Sequence, residues 1–163
     1  MAIWPPPDIL GLLDRLPRRP LRDVHWAHPE QLIVKLRPLG HVDGHLHRPL
    51  VEALEDALAG AGPVDCVLGP ATRRVGQWLG VPVEGLDPLA ATVFQATTPL
   101  VPVTHPQAFQ ADIILARGRV PAALAGEPIE GSWVADTVAL VADHSAPGRP
   151  GLAEVATFTL GPG

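Results

Sequence analysis

Apolar and polar residues alternate most clearly in two short stretches that lie about half the chain apart. The first runs Leu32-Ile33-Val34-Lys35-Leu36-Arg37 and leads into Pro38-Leu39-Gly40; the second runs Asp112-Ile113-Ile114-Leu115-Ala116-Arg117 and leads into Gly118. Each pattern predicts a β-strand, and the two are expected to lie side by side. Because successive side chains point to opposite faces of a strand, Val34, Leu36, Ile113 and Leu115 read as core. Ile33, Lys35 and Arg37 then share the other face of the first strand, and Asp112, Ile114 and Ala116 that of the second.

Around this pair the periodicity switches between helix and strand. Residues 1–7 are extended, since three consecutive prolines fix φ and remove donors. Ile9, Leu10, Leu12, Leu13 and Leu16 predict a short amphipathic helix over Asp8–Leu16, stopped by Pro17 and Pro20. Val24 to Trp26 begins a strand or leads into one. Pro49 opens a second helix whose apolar face is Leu50, Val51, Leu54, Ala57 and Leu58, ended by Gly60 and Gly62.

Two strands are predicted next, Val64–Leu68 and about Arg73–Leu79, turned at Gly69-Pro70. Val81-Pro82-Val83 leads to Asp87-Pro88, the start of a third helix that runs to about Thr98 with Leu89, Val93 and Ala96 inward. Prolines 99, 102 and 106 punctuate an extended loop before the second central strand. Pro121–Ala125 forms a helical turn, Trp133–Ala135 and Val138–Val141 are strands, Asp143–Gly151 is a turn-rich loop, and Leu152–Leu160 alternates as the last strand.

Composition narrows the class. A chain of 163 residues, 47% of them apolar, has enough material for one domain with a sizeable core, spanning 1–163, and is too hydrophobic to be a disordered chain. The 20 prolines are scattered beside apolar runs, so they mark turns and strand edges. A net charge of −5 argues against a broad basic face for duplex DNA. No apolar run is long enough to span a membrane, and no secretory leader is expected because Pro5-Pro6-Pro7 interrupts the first apolar stretch. The single Cys66 has no intramolecular partner for a disulfide, which fits a reducing, cytoplasmic setting, and its apolar neighbours predict a buried, inert thiol.

Two polar clusters raise candidate chemistry. Arg15, Arg18, Arg19 and Arg22 are the densest positive charge, read either as a solvated helix end or as a phosphate-contacting patch. His41, Asp43, His45 and His47 invite a metal reading, but their spacing matches no established metal motif and suits a polar loop before a helix. No cofactor or metal is assigned on this basis.

The two alternating stretches, with their surroundings, carry a resemblance. Trp26, Pro29-Glu30, the first strand and Leu39-Gly40 resemble the first signature of the 2′-5′ RNA ligase-like branch of the 2H phosphoesterases; Phe109 and Ala111–Arg117 resemble the second. Leu86-Asp87-Pro88-Leu89 and Trp133–Val141 are similar to the same family. The resemblance implies an α+β fold of two pseudo-symmetric lobes, whose antiparallel sheets enclose a concave central groove with one signature strand from each lobe at its centre. It also implies a substrate with a 2′,3′-cyclic phosphate or 2′-5′ linkage.

In that family each central strand carries His-x-Thr or His-x-Ser. The resemblance would place the histidines at Ile33 and Asp112 and the hydroxyl residues at Lys35 and Ile114, and none of the four is present. Isoleucine transfers no proton, and positioned proton transfer is worth about 10²–10⁴-fold in rate. None of the seven histidines sits in a His-x-Thr or His-x-Ser.

The first reading is therefore a member of this fold family that has lost phosphodiesterase catalysis. It would bind a nucleotide, an RNA end, another small anion or a protein partner in a groove lined by Ile33, Lys35, Arg37, Asp112 and Ile114. The second is an active cyclic phosphodiesterase with rearranged catalytic residues. The third is a metal-dependent hydrolase using His41, His45 and His47. Within the groove, Lys35 or Arg37 either pairs with Asp112 or the three are ordinary lining charges. The four tryptophans are read as core or rim residues, with base stacking as the alternative.

Overall fold

A computed structural model describes residues 1–146, 149 and 151–161; the predicted loop Asp143–Gly151 lies partly outside them, at 147, 148 and 150. The chain folds as α+β, with strands β1 (Ala2–Ile3), β2 (Val24–Trp26), β3 (Val34–Lys35), β4 (Val64–Leu68), β5 (Arg73–Val75), β6 (Trp78–Glu84), β7 (Asp112–Gly118), β8 (Gly131–Ala135), β9 (Thr137–Asp143) and β10 (Leu152–Thr159). The helices are α1 (Pro7–Asp14), α2 (His47–Leu58) and α3 (Asp87–Thr97).

The strands form one curled sheet in the order β10-β9-β1-β3-β7-β6-β4-β8, with β2 added to β7 and β5 to β6. The pairings are antiparallel. At its centre β3 pairs with β7, Val34 opposite Ile113, so the two alternating stretches do lie side by side. The flanks of that junction are not the two halves of the chain, however: β9 and β10 return to join β1 and β3, while β4 and β6 cross to join β7 and β8.

The buried face of the junction is continuous across the strands. Val34, Ile113 and Val81 follow one another across β3, β7 and β6, and none is exposed to solvent. Leu36 and Leu115 are also buried. They join a single core with Leu50, Leu54 and Leu58 of α2 and Leu89 and Val93 of α3, the helical stripes expected from a period of 3.6. Cys66 lies in the same core, where burial pushes its thiol up to about 11.

Three local readings change. The ladder of the first central strand is only Val34–Lys35. A 3₁₀ turn over Pro29–Gln31 precedes it, and beyond it the backbone N–H of Leu36 turns to the carbonyl of Met1. The expected strand Arg73–Leu79 is instead a hairpin: Val75 pairs with Trp78 around Gly76 and Gln77, and Gly76 takes φ +58°, a conformation that glycine adopts without a Cβ clash. Finally, β7 carries a bulge. Gly80 is opposite Ile114 but Leu79 is opposite Ala116, so Leu115 has no counterpart on β6. Ala116, expected on the groove face, is fully buried.

Two outcomes follow from this packing. Ile113→Ala is expected to destabilise the protein by about 2–5 kcal/mol in urea unfolding, whereas Val67→Ala, at a site 50% exposed, should change it by less than about 0.5 kcal/mol. Equal effects at the two positions would contradict the core assignment. Cys66 should resist iodoacetamide at pH 8 in the folded protein and label promptly in denaturant, read by mass spectrometry.

Candidate functional site

The alternation that buries Val34 and Ile113 sends Lys35 and Asp112 to the other face of the sheet. There a cavity of about 110 Å³ opens, lined by Ile33, Lys35, Asp112 and Ile114, with Trp78 and Arg117 completing its walls. Gln31, Val75 and Gln110 also contribute. Four of the five residues expected in the groove therefore meet around one space. A larger hollow of about 460 Å³ lies on β4 and β8, beside Glu84 and Glu130. None of the polar side chains of the β3–β7 junction reaches it, so the smaller cavity is the candidate site.

Arg37 is the exception among the expected lining residues. It lies beyond the two-residue ladder of β3, where strict alternation no longer governs direction, and is 6% exposed. Its guanidinium donates to Thr97 Oγ1 and to the Val101 carbonyl and sits 5.1 Å from the Phe94 ring centroid. Arg37 thus braces the end of α3 and takes no part in the cavity.

The expected pairing of Asp112 with Lys35 or Arg37 is also corrected. Asp112 is held by Arg73: Nε donates to Oδ1 at 2.8 Å and Nη2 to Oδ2 at 2.7 Å. The Asp112 side chain is 9% exposed and that of Arg73 44%, so a largely buried carboxylate is matched by a bidentate fork anchored at the surface. The register explains the reach. Arg73 of β5 is opposite Gly80 of β6, and β7 lies on the far side of β6. A Cβ at Gly80 would stand 3.2 Å from the Ile113 carbonyl oxygen and 3.4 Å from the side chains of Asp112 and Ile114, so β6 passes close to β7 at this point. Sequence reasoning missed Arg73 because it treated the hairpin as one strand.

Arg117 was missed for a related reason. Two-residue alternation puts it on the face opposite Asp112 and Ile114, but the bulge at Leu115 reverses the phase and returns it to the cavity. It sits across from Trp78 with its guanidinium 5.5 Å from the indole centroid. Trp78 is the one tryptophan that lines the cavity and is 45% exposed.

Lys35 and Arg117 make no side-chain hydrogen bond or ion pair among the described residues. Partial desolvation and then the nearby Arg117 push the Lys35 ammonium below its usual range, with Asp143 opposing. Asp143 is held below the usual carboxylate range, chiefly by hydrogen bonds from Ser145 and to a lesser degree by Lys35 and Arg117.

Among the described residues no histidine lines the cavity. His25 is opposite Arg117 on β2 but is not part of the wall. The third reading fails on geometry: His41, His45 and His47 are exposed, His41 leans towards Asp43 at 3.5 Å, and no three His, Cys, Asp or Glu side chains among the described residues gather as metal ligands. Arg18 pairs loosely with Asp14 at 3.9 Å.

The Arg73–Asp112 pair should behave as a unit. Arg73→Met leaves a largely buried carboxylate unmatched and is expected to destabilise folding by about 1–3 kcal/mol. Adding Asp112→Leu should recover much of that loss. Additive single and double effects in urea unfolding would show that the pair is not coupled.

No family model matches the sequence, and no curated protein matches it either. Solved structures do. E. coli LigT, crystallised with 3′-AMP, aligns at TM-score 0.83 with 20% identity, over 98% of this chain and 95% of that one. TT0787 of Thermus thermophilus aligns at TM-score 0.81 with 20% identity, over 99% and 96%. A structure described as a phosphoesterase aligns at TM-score 0.81 with 20% identity, over 98% and 96%. LigT has also been crystallised with NADP⁺ and with ATP. Along nearly its whole length, the chain has the LigT-like fold of the 2H phosphoesterases.

Proposed function

We propose that this protein is a LigT-like domain, a single bilobal unit over residues 1–163, that has lost phosphodiesterase catalysis and holds a small anionic ligand in its central cavity. The observation that carries this reading is the character of the cavity walls. Where the resemblance calls for two imidazoles there are Ile33, which transfers no proton, and Asp112, whose two oxygens are occupied by Arg73. An acid–base pair for ester cleavage needs one group to accept a proton and another to donate it within hydrogen-bond reach. The walls offer the Lys35 ammonium as a donor but no second titratable group free to accept a proton opposite it.

What remains suits binding. Lys35 and Arg117 supply positive charge with no counter-ion in contact among the described residues, and Trp78, Ile33 and Ile114 supply apolar surface beside it. Clefts of this kind, mostly apolar with a few placed polar groups, are the usual form of small-molecule sites. LigT has been crystallised with 3′-AMP, NADP⁺ and ATP, so nucleotides are one class of anion that this fold accommodates. No helix among the described residues is long and apolar enough to cross a membrane, and the free thiol of Cys66 agrees with a cytoplasmic role.

The test is a 2′,3′-cyclic nucleotide phosphodiesterase assay. The unmodified protein is expected to show no turnover above background. The variant carrying Ile33→His, Lys35→Thr, Asp112→His and Ile114→Thr is expected to gain hydrolysis by about 10²-fold or more, the size of a positioned proton transfer. Clear turnover by the unmodified protein overturns the reading. If that turnover disappears in His25→Ala, the protein is an active esterase with rearranged residues.

A further inference from the structure

The cavity that the proposed function rests on is small, asymmetric in charge and partly apolar, and these three properties together restrict its ligand. Its volume is about 110 Å³. An engineered cavity of about 150 Å³ in another protein holds a single benzene ring, whereas drug-sized ligands occupy about 300–1,000 Å³. The enclosed part therefore has room for one ring or a short branched chain. It does not have room for a base, a ribose and a phosphate together.

Charge restricts the ligand further. Arg73, Lys35 and Arg117 lie at or beside the cavity, against Asp112 and Asp143, an excess of a single positive charge. Arg73 is committed to Asp112. Lys35 and Arg117 are the cations left over, and their nearness to each other is unfavourable rather than neutralising. One negative charge placed between them would balance the site. A second would face the carboxylates of Asp112 and Asp143 without a matching cation.

The walls set the shape of the rest. Ile33 and Ile114 form part of the walls, and aliphatic carbon offers the several oxygens of a phosphate no hydrogen bond. Trp78 carries the Arg117 guanidinium against its ring, which fixes the direction of the N–H edge while leaving it free to donate. A carboxylate accepts such an edge in a planar, two-point fashion.

We propose that the cavity binds a small monocarboxylate, one negative charge on a single ring or short apolar body, with its carboxylate between Lys35 and Arg117 and its body against Ile33, Ile114 and Trp78.

Isothermal titration of the intact protein at pH 7.5 and low salt tests this with three probes that share a ring. Benzoate carries one charge, phenyl phosphate carries close to two, and benzyl alcohol carries none. Benzoate is expected to bind with one-to-one stoichiometry and at least about tenfold more tightly than either of the others, a difference of about 1.4 kcal/mol. Lys35→Met, checked for unchanged thermal unfolding, should weaken benzoate by about fivefold or more and leave benzyl alcohol unaffected.

Phenyl phosphate binding as tightly as benzoate would overturn the assignment, as would benzoate showing no saturable binding. So would benzoate affinity that ignores Lys35→Met. The comparison among probes needs no variant, so a misfolded substitution does not remove the test. Cyclic phosphodiesterase turnover by the unmodified protein would refute the proposed loss of catalysis separately, because that result does not depend on which acid binds.

Discussion

Val34 lies opposite Ile113, and most of the molecule follows from that contact. The pair joins strands from distant parts of the chain, and with Val81 beyond it forms the buried side of the sheet centre. A strand cannot bury one side chain without turning its neighbours the other way. Once Val34 and Ile113 are inside, Lys35, Asp112, Ile33 and Ile114 are committed to the opposite face. The site is thus a by-product of core packing, and the sheet presents those four positions whatever side chains occupy them. That is why a chain only 20% identical to LigT superposes on it along nearly its full length while its central residues are aliphatic and ionic.

Asp112 shows how the fold tolerates such a lining. A carboxylate with 9% of its side chain exposed needs partners, since removing it from water unpaired costs several kcal/mol. Arg73 supplies both hydrogen bonds from a short neighbouring strand, and it does so across the one residue of β6 that has no side chain, Gly80. Arg37 is stabilised differently. Among the described residues it has no carboxylate in contact, and neutral acceptors at the end of α3 together with the face of Phe94 take the guanidinium. One arginine shapes the cavity and the other fastens a helix to the sheet.

The contrast explains what could be read in advance. The core residues of both central strands, the three helices with their inward leucines, the buried Cys66 and the neighbouring of β3 with β7 were all legible, because each depends on periodicity or on short-range composition. Of the five residues expected in the groove, the four that line the cavity followed from the same alternation. The errors share a cause: alternation was extended past points where the backbone breaks it. At Arg37 the ladder has already ended, at Leu115 an extra residue shifts the phase, and at Gly76 one apparent strand folds back as two. The glycine in Val75-Gly76-Gln77-Trp78 was a visible signal for the hairpin. Nothing in Ile114-Leu115-Ala116-Arg117 marks the bulge, because both residues after Ile114 are apolar and suit burial equally.

The bulge also decides the electrostatics. Without it Arg117 would project from the buried side of the sheet, and Lys35 would be the one cavity cation outside the Arg73–Asp112 pair. With it, two cations share the mouth of a partly apolar cavity, and Trp78 holds one of them in place. A sheet stabilised by its core can carry such like-charge crowding, because the cost falls on the protonation of Lys35 rather than on the backbone. The carboxylate of Asp143 acts on Lys35 without touching it and is itself engaged with Ser145, so among the described residues neither cation has an anion in contact. The same local insertion that sequence alternation could not anticipate is therefore what brings Arg117 beside Lys35 on the polar face of the β3–β7 junction.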